Sequence, residues 1–444
     1  MKLYNSKTNS LEEFKSITPM HVDMYVCGPT VYNHPHIGNA RPMIVFDTLR
    51  RLFEVQGYTV SYVSNYTDVD DKIINKALNE ELDEITISTR YIDAYQAVRD
   101  SLNVKPLTAT PKVTENMPEI ISFIKELLDK EYAYVVDGDV YFRVTKIEDY
   151  GCLSKQNIDD LQVGARIEEN SKKENPLDFA LWKTTDMGIR WDTPWGKGRP
   201  GWHTECVVMI NKVFDSDHID IHGGGMDLKF PHHENELAQS QALHHSQLAN
   251  YWLHNGMLNF DGEKMSKSLG NVVWAKDFIS EYGSNVIRWL MLSAHYRAPL
   301  NISEQTINTA KTELERVLTA LRQAEVAQQR AKIIDHKEID EKLLDRFVAA
   351  MNEDINTPNG FMEIFETIKI LNKALREKDV DWQALISIKN ALLKMIEVIG
   401  ISYQPPILTI EDLNNFEQWD NARKAKNFEL ADIYRKTLSE KGLL

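Results

Sequence analysis

The sequence has few cysteines, no long apolar run and no excess of basic residues. Its 444 residues include only Cys27, Cys152 and Cys206, a sparse and odd set that argues against a disulfide framework and for a reducing compartment. No run of about 18 apolar residues could span a bilayer, and the first ten residues lack the apolar core and cleavage site of a secretory signal. We therefore expect a cytoplasmic protein with no membrane partner.

Three common active-site signatures are also missing. The sequence contains no G-x-x-x-x-G-K-[ST] phosphate loop, and Gly223, Gly224 and Gly225 lack the later glycine of a dinucleotide fingerprint. The H-E-x-x-H pattern of many zinc proteases is absent as well. If the protein uses ATP, it must hold the phosphates in another way.

The composition indicates a folded protein of several domains. Hydrophobic residues make up 43% and charged residues 26%, and the length predicts about two to four domains. The formal net charge of -15 disfavours indiscriminate binding to nucleic acid or membrane surfaces. A local basic surface stays compatible with this charge, because the stretch 422–438, interpreted as one terminal helix, carries an excess of basic residues.

The first part of the chain predicts a nucleotide-type α/β domain. The apolar run 24–27 predicts a strand, 41–55 a helix that stops before Gly57, and 58–66 a second strand. A strand, helix and strand joined this closely form a right-handed parallel unit.

In the rest of the chain the predicted secondary-structure pattern changes twice. The polar, turn-rich stretch 137–200 is interpreted as an insertion, after which 218–222 predicts a strand followed by a glycine loop and a helix. Long amphipathic helices are then predicted over 302–400.

The segment 34–39, HPHIGN, lies between the first predicted strand and the first helix. Backbone amides and the helix dipole favour anions at such a position. Gly38 would let a ligand approach the backbone, and His36 and Asn39 could donate hydrogen bonds to phosphate oxygens. By itself the pattern also fits an ordinary turn.

A second segment, 264–268, reads KMSKS. Lys264 and Lys267, flanked by serines and followed by a glycine, suit a loop that clamps a polyphosphate and stabilises the charge of the departing pyrophosphate. The alternative is a solvated charged loop.

A third group of residues suits a metal ion. Cys27 ends the first predicted strand, Cys206 lies in GWHTEC, and Pro231 is expected at an early position of a helix that contains HHENE. Two thiolates, one imidazole and the carboxylate of Glu236 would complete a tetrahedral Zn²⁺ shell. The spacing does not choose between His232 and His233, and two core cysteines beside a surface His–Glu pair would be the alternative.

In this order, the three groups resemble the cysteinyl-tRNA synthetase family, a branch of the class I aminoacyl-tRNA synthetases. The resemblance runs over nearly the whole chain. It is carried by CGPTVYNHPHIGNARP, NYTDVDDKII, GRPGWHTEC, HGGGMDLKFPHHENE, EKMSKSLGN and SAHYRAPLN.

The resemblance implies an α/β fold of class I type: a Rossmann-like nucleotide-binding domain with an inserted connective domain, then a C-terminal α-helical bundle and a small anticodon-region segment. The expected regions are 1–136 and 201–301 for the two halves of the catalytic domain, 137–200 for the insertion, 302–403 for the bundle and 404–444 for a tRNA-contacting segment.

The resemblance also implies the reaction. The enzyme, a cysteine–tRNA ligase, would activate L-cysteine with ATP and Mg²⁺ to cysteinyl-adenylate, releasing pyrophosphate, and transfer cysteine to the 3′ end of cysteine tRNA. One Zn²⁺ would select the substrate thiolate, because shape alone separates cysteine from serine poorly. We expect a monomer.

The family's site residues carry over to matching positions of this sequence. Catalytic positions are His36, Asn39, Lys264 and Lys267, and zinc ligands are Cys27, Cys206, His232 and Glu236, which selects His232 over His233. Thr67, Trp202 and Asp227 match the amino-acid pocket, and His222, Gly223, Gly224 and Gly225 the adenosine site. Gly28, Thr30, Gly38, Met265, Ser266 and Ser268 match further substrate or ATP positions.

Two departures from the family pattern stand out. Asn39 occupies a position that is commonly histidine, and it can donate a hydrogen bond but cannot carry charge. The chain also stops at Leu444, so we expect it to lack the short β segment with which relatives help to read the anticodon.

Two rival functions share parts of this pattern. One is a ligase of the mycothiol pathway that passes activated cysteine to an amino sugar, and the other is a non-catalytic binding module. The long helical region argues against the first, since a small acceptor does not require it. Complete KMSKS and ligand sets argue against the second.

Overall fold

The structure is a computed structural model that describes residues 1–156, 172–264 and 272–444. The chain forms two compact units. The first comprises Met1–Gly283 and Tyr296–Asn301, and the second Ser284–His295 and Ile302–Leu444. Within the described residues, none of the helices combines the length and apolar character needed to cross a membrane.

A parallel sheet of four strands lies at the centre of the first unit, in the order β10-β9-β3-β4. The strands are β3 (His21–Val26), β4 (Thr59–Val63), β9 (His218–Gly225) and β10 (Leu248–Asn255). Met24 of β3 lies opposite Ile221 of β9 and opposite Tyr62 of β4. The predicted parallel unit is confirmed.

Helix α1 (Ile37–Val55) connects β3 to β4. Ile44, Leu49 and Phe53 are fully buried on its inner face. The helix ends where Gly57 takes a positive φ of 87°, a conformation that glycine adopts at little cost. The helix therefore ends where the sequence predicts.

The conformation of the glycines after the strand at 218–222 differs from the prediction. They form no loop but continue β9 as far as Gly225. The reason is packing, since a Cβ on Gly223 would lie 2.4 Å from the ring of Phe46. Glycine at that position lets α1 lie close to the strand.

The helix predicted to open at Pro231 also begins later. A single wide turn covers Lys229–His233, and α6 runs over Glu234–His244. Phe230 has an extended backbone, with φ -140° and ψ 134°, as is usual for the residue before a proline. This conformation delays regular helical hydrogen bonding until Glu234.

A four-stranded antiparallel sheet stands between the two halves of the parallel sheet in the sequence. Its strands are β5 (Ala133–Val136), β6 (Asp139–Phe142), β7 (Phe179–Thr184) and β8 (Gly198–Pro200), paired in that order. Asp137 and Gly138 both have positive φ and form the two-residue hairpin turn typical of Asp-Gly. The sheet thus starts just before residue 137.

The first unit contains several further elements. They are β1 (Lys2–Asn5), β2 (Ser10–Glu13), α2 (Asp71–Glu80), α3 (Glu84–Ser101), α4 (Met117–Asp129), α5 (Glu205–Phe214), β11 (Leu258–Phe260), β12 (Glu263–Lys264), α7 (Ala275–Tyr282) and β13 (Leu300–Ile302), whose last residue belongs to the second unit.

The second unit is helical, which confirms the predicted amphipathic helices. It contains α8 (Ser284–Leu292), α9 (Glu304–Arg330), α10 (Glu341–Met351), α11 (Thr357–Ala374), α12 (Trp382–Val398), α13 (Ile410–Lys424) and α14 (Phe428–Glu440). The prediction of a single helix over 422–438 is wrong. Lys426 has a positive φ of 58°, and Asn427 caps a new helix by accepting a hydrogen bond from Leu430 N.

Candidate active site

A cavity of about 370 Å³ opens at the carboxyl ends of the parallel strands. Ligands of open parallel sheets bind at this edge, where the strand order reverses. Residues at or just beyond the ends of the four strands form part of its wall, namely Cys27, Ser64, Gly225 and Asn255. Of the sequence-predicted site residues, Cys27, Gly28, Thr30, His36, Gly38, Asn39, Trp202, Gly225 and Asp227 line the cavity.

The predicted phosphate-binding turn lies at the start of α1. His36 is the N-cap residue of the helix, and its backbone N–H donates to Asn39 Oδ1 at 3.0 Å. Asn39 therefore uses its amide oxygen to close the first helical turn, a capping role that follows from its position three residues after the cap.

The segment that follows KMSKS is tied to this turn. Ile37 N donates to Val273 O at 2.8 Å, and Ala275 N donates to Pro35 O at 2.9 Å. Lys264 is the last residue of β12. Met265, Ser266, Lys267 and Ser268 lie outside the described residues.

Beside the cavity, the four predicted zinc ligands converge. Cys27 Sγ lies 3.5 Å from Cys206 Sγ and 3.6 Å from Glu236 Oε1. His232 Nε2 lies 3.7 Å from Cys206 Sγ and 2.8 Å from Glu236 Oε1. All four ligand atoms lie within 4.8 Å of one another.

This donor set fits a tetrahedral zinc ion. Bonds of about 2.0–2.3 Å to nitrogen, oxygen and sulfur separate neighbouring ligand atoms by roughly 3.3–3.8 Å, and three of the four quoted separations fall in that range. Cys206, His232 and Glu236 are almost completely buried. Ionised thiols buried beside a carboxylate would be costly without a counter-charge, and a metal ion would supply that charge.

The charges within the group are set by its neighbours. Burial alone would raise the pKa of Glu236, but His232 and His222 hold that pKa well below its usual value. Burial also opposes ionisation of Cys206, yet hydrogen bonds from Cys27 and His232 lower its pKa to about 7. Burial and the contact with Cys206 raise the pKa of Cys27. One thiol of the pair therefore ionises readily, and a divalent cation would favour ionisation of both.

A second possible metal-binding group shares two of these residues. It combines Cys27 and Glu236 with His222 and His233. His222 Nε2 lies 2.5 Å from Glu236 Oε2, and His233 Nδ1 lies 2.9 Å from His254 Nε2. Only the first group contains both thiols, the ligands that zinc prefers.

Several predicted pocket residues are buried behind the cavity wall. Thr67 Oγ1 donates to Glu205 Oε2 at 2.8 Å, and His222 stacks on Trp252 with ring centroids 4.7 Å apart. Thr67, His222 and Gly223 are almost fully buried, and none of these nor Gly224 contributes to the lining. These residues position the wall rather than form it.

Trp202 lines the cavity and contacts the candidate metal-binding group. Its ring stacks on His232 with centroids 4.2 Å apart and an interplanar angle of 18°. At the edge of the His232 ring, His203 Nδ1 lies 3.1 Å from His232 Nδ1. Together these contacts hold the orientation of the imidazole, as partners of metal-binding histidines commonly do.

The sequence interpretation missed supporting residues whose positions give little local signal. Asn65 Oδ1 accepts the Gly28 N–H at 2.8 Å and fixes the turn that follows Cys27. Glu205 precedes Cys206 and holds Thr67. Adjacency to a predicted ligand is the available signal for Glu205, and Asn65 is the first residue of the shared string NYTDVDDKII.

Comparisons with known proteins identify the family to which this fold and site correspond. The family described as tRNA synthetases class I (C) catalytic domain matches residues 13–312, and the DALR domain family matches 346–404. The cysteine–tRNA ligase of Brevibacillus brevis is 47% identical over 460 residues, covering 100% of this chain and 97% of the relative. The cysteine–tRNA ligase of a Geobacillus species is 48% identical over 453 residues, with the same coverage.

Solved structures share the fold at low sequence identity. A methionyl-tRNA synthetase of Mycobacterium tuberculosis in complex with methionyl-adenylate has a TM-score of 0.61 at 14% identity, covering 85% of this chain and 89% of that chain. A putative arginyl-tRNA synthetase of Campylobacter jejuni also has a TM-score of 0.61 at 14% identity, with coverage of 89% and 95%.

The matched family and the parallel sheet define a class I aminoacyl-tRNA synthetase, which confirms the predicted fold class. Within that class, identity of nearly one half over the full length shows that the chain belongs to the cysteine–tRNA ligase family.

Proposed function

We propose that this protein charges tRNA with cysteine in two steps. L-cysteine attacks the α-phosphorus of ATP to give cysteinyl-adenylate and pyrophosphate, and the terminal ribose of cysteine tRNA then takes the cysteinyl group. The observation that carries this proposal is the identity of 46–48% to curated cysteine–tRNA ligases over the whole chain. The buried pair of thiols beside the cavity supports it.

In this proposal Cys27, Cys206, His232 and Glu236 hold one Zn²⁺. The ion would supply a soft Lewis acid that prefers the cysteine sulfur to the hydroxyl of serine. Trp202 and Asp227 line the cavity and are proposed to bound the amino-acid pocket. Gly28 and Thr30 line it as well, where the backbone can approach the substrate.

The nucleotide is proposed to occupy the cavity beside the start of α1. His36 and Asn39 line it there and are proposed to contact the phosphates, with Gly38 allowing close approach. Lys264 and Lys267, with Met265, Ser266 and Ser268, are assigned to the phosphates by family resemblance, and Mg²⁺ is expected to accompany ATP. Because positioning and charge stabilisation carry phosphorus chemistry, no protein nucleophile is required.

The glycines at the end of β9 are proposed to approach the adenosine through Gly225, the one that lines the cavity. Buried behind the cavity wall, His222, Gly223 and Gly224 would support the position of Gly225. The same proposal includes the five sequence regions and a monomeric state, which follow from the family resemblance. It also includes a cytoplasmic location, which follows from the low cysteine content.

Aminoacylation with matched substrates tests the proposal. We expect cysteine-dependent ATP–pyrophosphate exchange, charging of cysteine tRNA, little activity with serine, and close to one zinc ion per chain by elemental analysis. Exchange without charging of any tRNA, but with transfer to an amino sugar, would support the rival ligase. No exchange with any amino acid would leave a binding module as the explanation.

A further inference from the structure

One wall of the cavity combines positive charge with aromatic rings. It lies on the β4 side of the sheet, whereas Gly225 and Asn255 stand at the ends of β9 and β10 on the other side. Tyr62 and Ser64 come from β4 and the residues that follow it. The other members of this wall are Tyr32, Lys72, Tyr95 and Arg99.

Arg99 is the central cation of this wall. It projects from α3, is only 5% exposed, and donates to Tyr66 Oη at 3.0 Å and to Ser64 Oγ at 3.2 Å. Both partners are neutral. No carboxylate of the described residues pairs with Arg99, although a buried guanidinium has five donors and is costly without a counter-charge.

The remaining groups suit a nucleotide rather than a simple anion. Lys72 lies 5.4 Å from the centroid of the Tyr32 ring and supplies a second cation. Tyr95 is 5% exposed and lines the cavity, and no described residue bonds its hydroxyl. Cations interleaved with aromatic rings are the usual means of binding single-stranded nucleic acid, since the cations meet phosphates and the rings stack on bases.

We propose that this wall binds the 3′-terminal nucleotides of the tRNA, with Arg99 on the phosphodiester that precedes the terminal adenosine. The inference rests on the proposed function, which requires the acceptor ribose to enter the cavity that holds the activated cysteine. The start of α1 is assigned to the ATP phosphates, and a free amino acid offers no base for the aromatic rings. The phosphodiester is therefore the anion that matches both features.

The Arg99→Gln variant separates the two steps of the reaction. We expect the rate constant for transfer of cysteine from preformed adenylate to tRNA to fall by about 10- to 100-fold, the size of one charge-assisted hydrogen bond. Cysteine-dependent pyrophosphate exchange, measured without tRNA, should be affected less, with a fold-reduction at least about ten times smaller than that of transfer. Arg99→Lys keeps the charge and should restore part of the transfer rate.

Arg90→Gln is the matched control. Arg90 lies on the same helix, pairs with Glu80 at 2.6 Å with its side chain 43% exposed, and does not line the cavity. The substitution removes the same charge and should leave the rates of exchange and transfer unchanged. Equal loss of transfer in both variants would show a general charge effect and overturn the inference.

A modified substrate tests the contact in the unaltered protein. An acceptor minihelix with a neutral methylphosphonate at the last linkage should be charged more slowly by the natural chain, whereas Arg99→Gln should lose little further rate, because the same interaction is removed twice. Equal charging of both minihelices by the natural chain would overturn the inference.

The remaining outcomes are equally decisive. If Arg99→Gln lowers exchange as much as transfer, or raises the KM for cysteine in exchange, the arginine serves adenylate formation and the inference is wrong. If the natural chain performs exchange but charges no tRNA with cysteine, the proposed function itself fails, independently of Arg99.

Discussion

At the scale of single residues, the candidate zinc ligands show how much depends on side-chain surroundings. Cys27 and Cys206 are 179 positions apart in the sequence, yet their sulfur atoms lie 3.5 Å apart. Cys152 is half-buried and lies outside both groups of candidate ligands. The chain therefore contains two cysteines suited to a metal and one that serves as an internal reference.

Replacing a thiol ligand tests the metal-binding group directly. We expect Cys206→Ser to lose most of its zinc and to raise the KM for cysteine in pyrophosphate exchange by at least about tenfold, because a hydroxyl is a poor zinc ligand. Zinc per chain by elemental analysis and exchange kinetics measure both effects. Cys152→Ser should retain zinc and activity; unchanged zinc content in Cys206→Ser would refute the ligand assignment.

At the scale of elements, α12 carries a buried lysine at the centre of an ion-pair network, unlike the salt bridges on the surface. Lys389 is 1% exposed, and its Nζ lies 2.8 Å from Glu325 Oε1, 2.8 Å from Gln328 Oε1 and 3.2 Å from Asp335 Oδ1. The network ties α12 to α9 and to the segment that follows α9. Such a network is costly to break because the remaining charges lose their partner.

Truncation of this lysine should therefore destabilise the helical unit. We expect Lys389→Ala to reduce the free energy of unfolding by about 3–5 kcal/mol, measured by denaturant titration monitored by circular dichroism. Lys394→Ala is the matched control on the same helix, because Lys394 pairs with Glu397 at the surface. That control should cost less than about 1 kcal/mol, and equal effects would contradict the network.

A second element-scale contact links the last two helices. Asp412, near the start of α13, accepts hydrogen bonds from Lys441 Nζ at 2.7 Å and from Thr409 Oγ1 at 2.7 Å. These contacts, the one from Lys441 foremost, lower the pKa of Asp412 from 3.8 to about 2. Its ionised form is therefore favoured in the folded chain.

This shift predicts an acid-dependent loss of stability. Since the folded-state pKa is depressed, the contribution is complete above the unfolded pKa of 3.8 and disappears as the pH falls towards 2. Unfolding measured across this window should be less pH-dependent in Asp412→Asn. The exposed carboxyl of Glu417 on the same helix provides the control as Glu417→Gln, and an unaltered pH profile in Asp412→Asn would contradict the pairing.

At the scale of the whole molecule, the acidic average coexists with local basic surfaces. The net charge is -15, yet α13 ends with Arg423 and Lys424, the turn after it contains Lys426, and Arg435 and Lys436 lie on α14. Two helices and the turn between them, rather than one helix, carry these charges. An acidic protein with small basic surfaces favours selective binding of tRNA over indiscriminate binding.

Salt dependence measures how many phosphates such a protein contacts. Between about 50 and 200 mM salt, we expect the KM for tRNA to rise by less than about 100-fold, whereas six to ten phosphate contacts would weaken binding by roughly 10³–10⁵. Charging assays at fixed ATP and magnesium give the slope, and the KM for cysteine serves as the control because this substrate carries no phosphates. Binding confined to very low salt would contradict this expectation.

The features that can be read from the amino-acid sequence are those that depend on local pattern and on long shared strings. The parallel unit, the helical second unit and the family were readable because hydrophobic periodicity and ordered motifs are local properties. The same approach placed Cys27, Cys206, His232 and Glu236 in one group, through family resemblance.

How those segments contact one another is visible only in the tertiary structure. It placed Cys206 and His232 in contact, extended β9 through Gly225 because Phe46 packs against Gly223, and put Thr67 behind the cavity wall rather than in it. It also gave buried Arg99 a place on that wall with no acidic partner among the described residues. These outcomes depend on packing between distant segments, and periodicity along one segment carries no information about which surface another segment will cover.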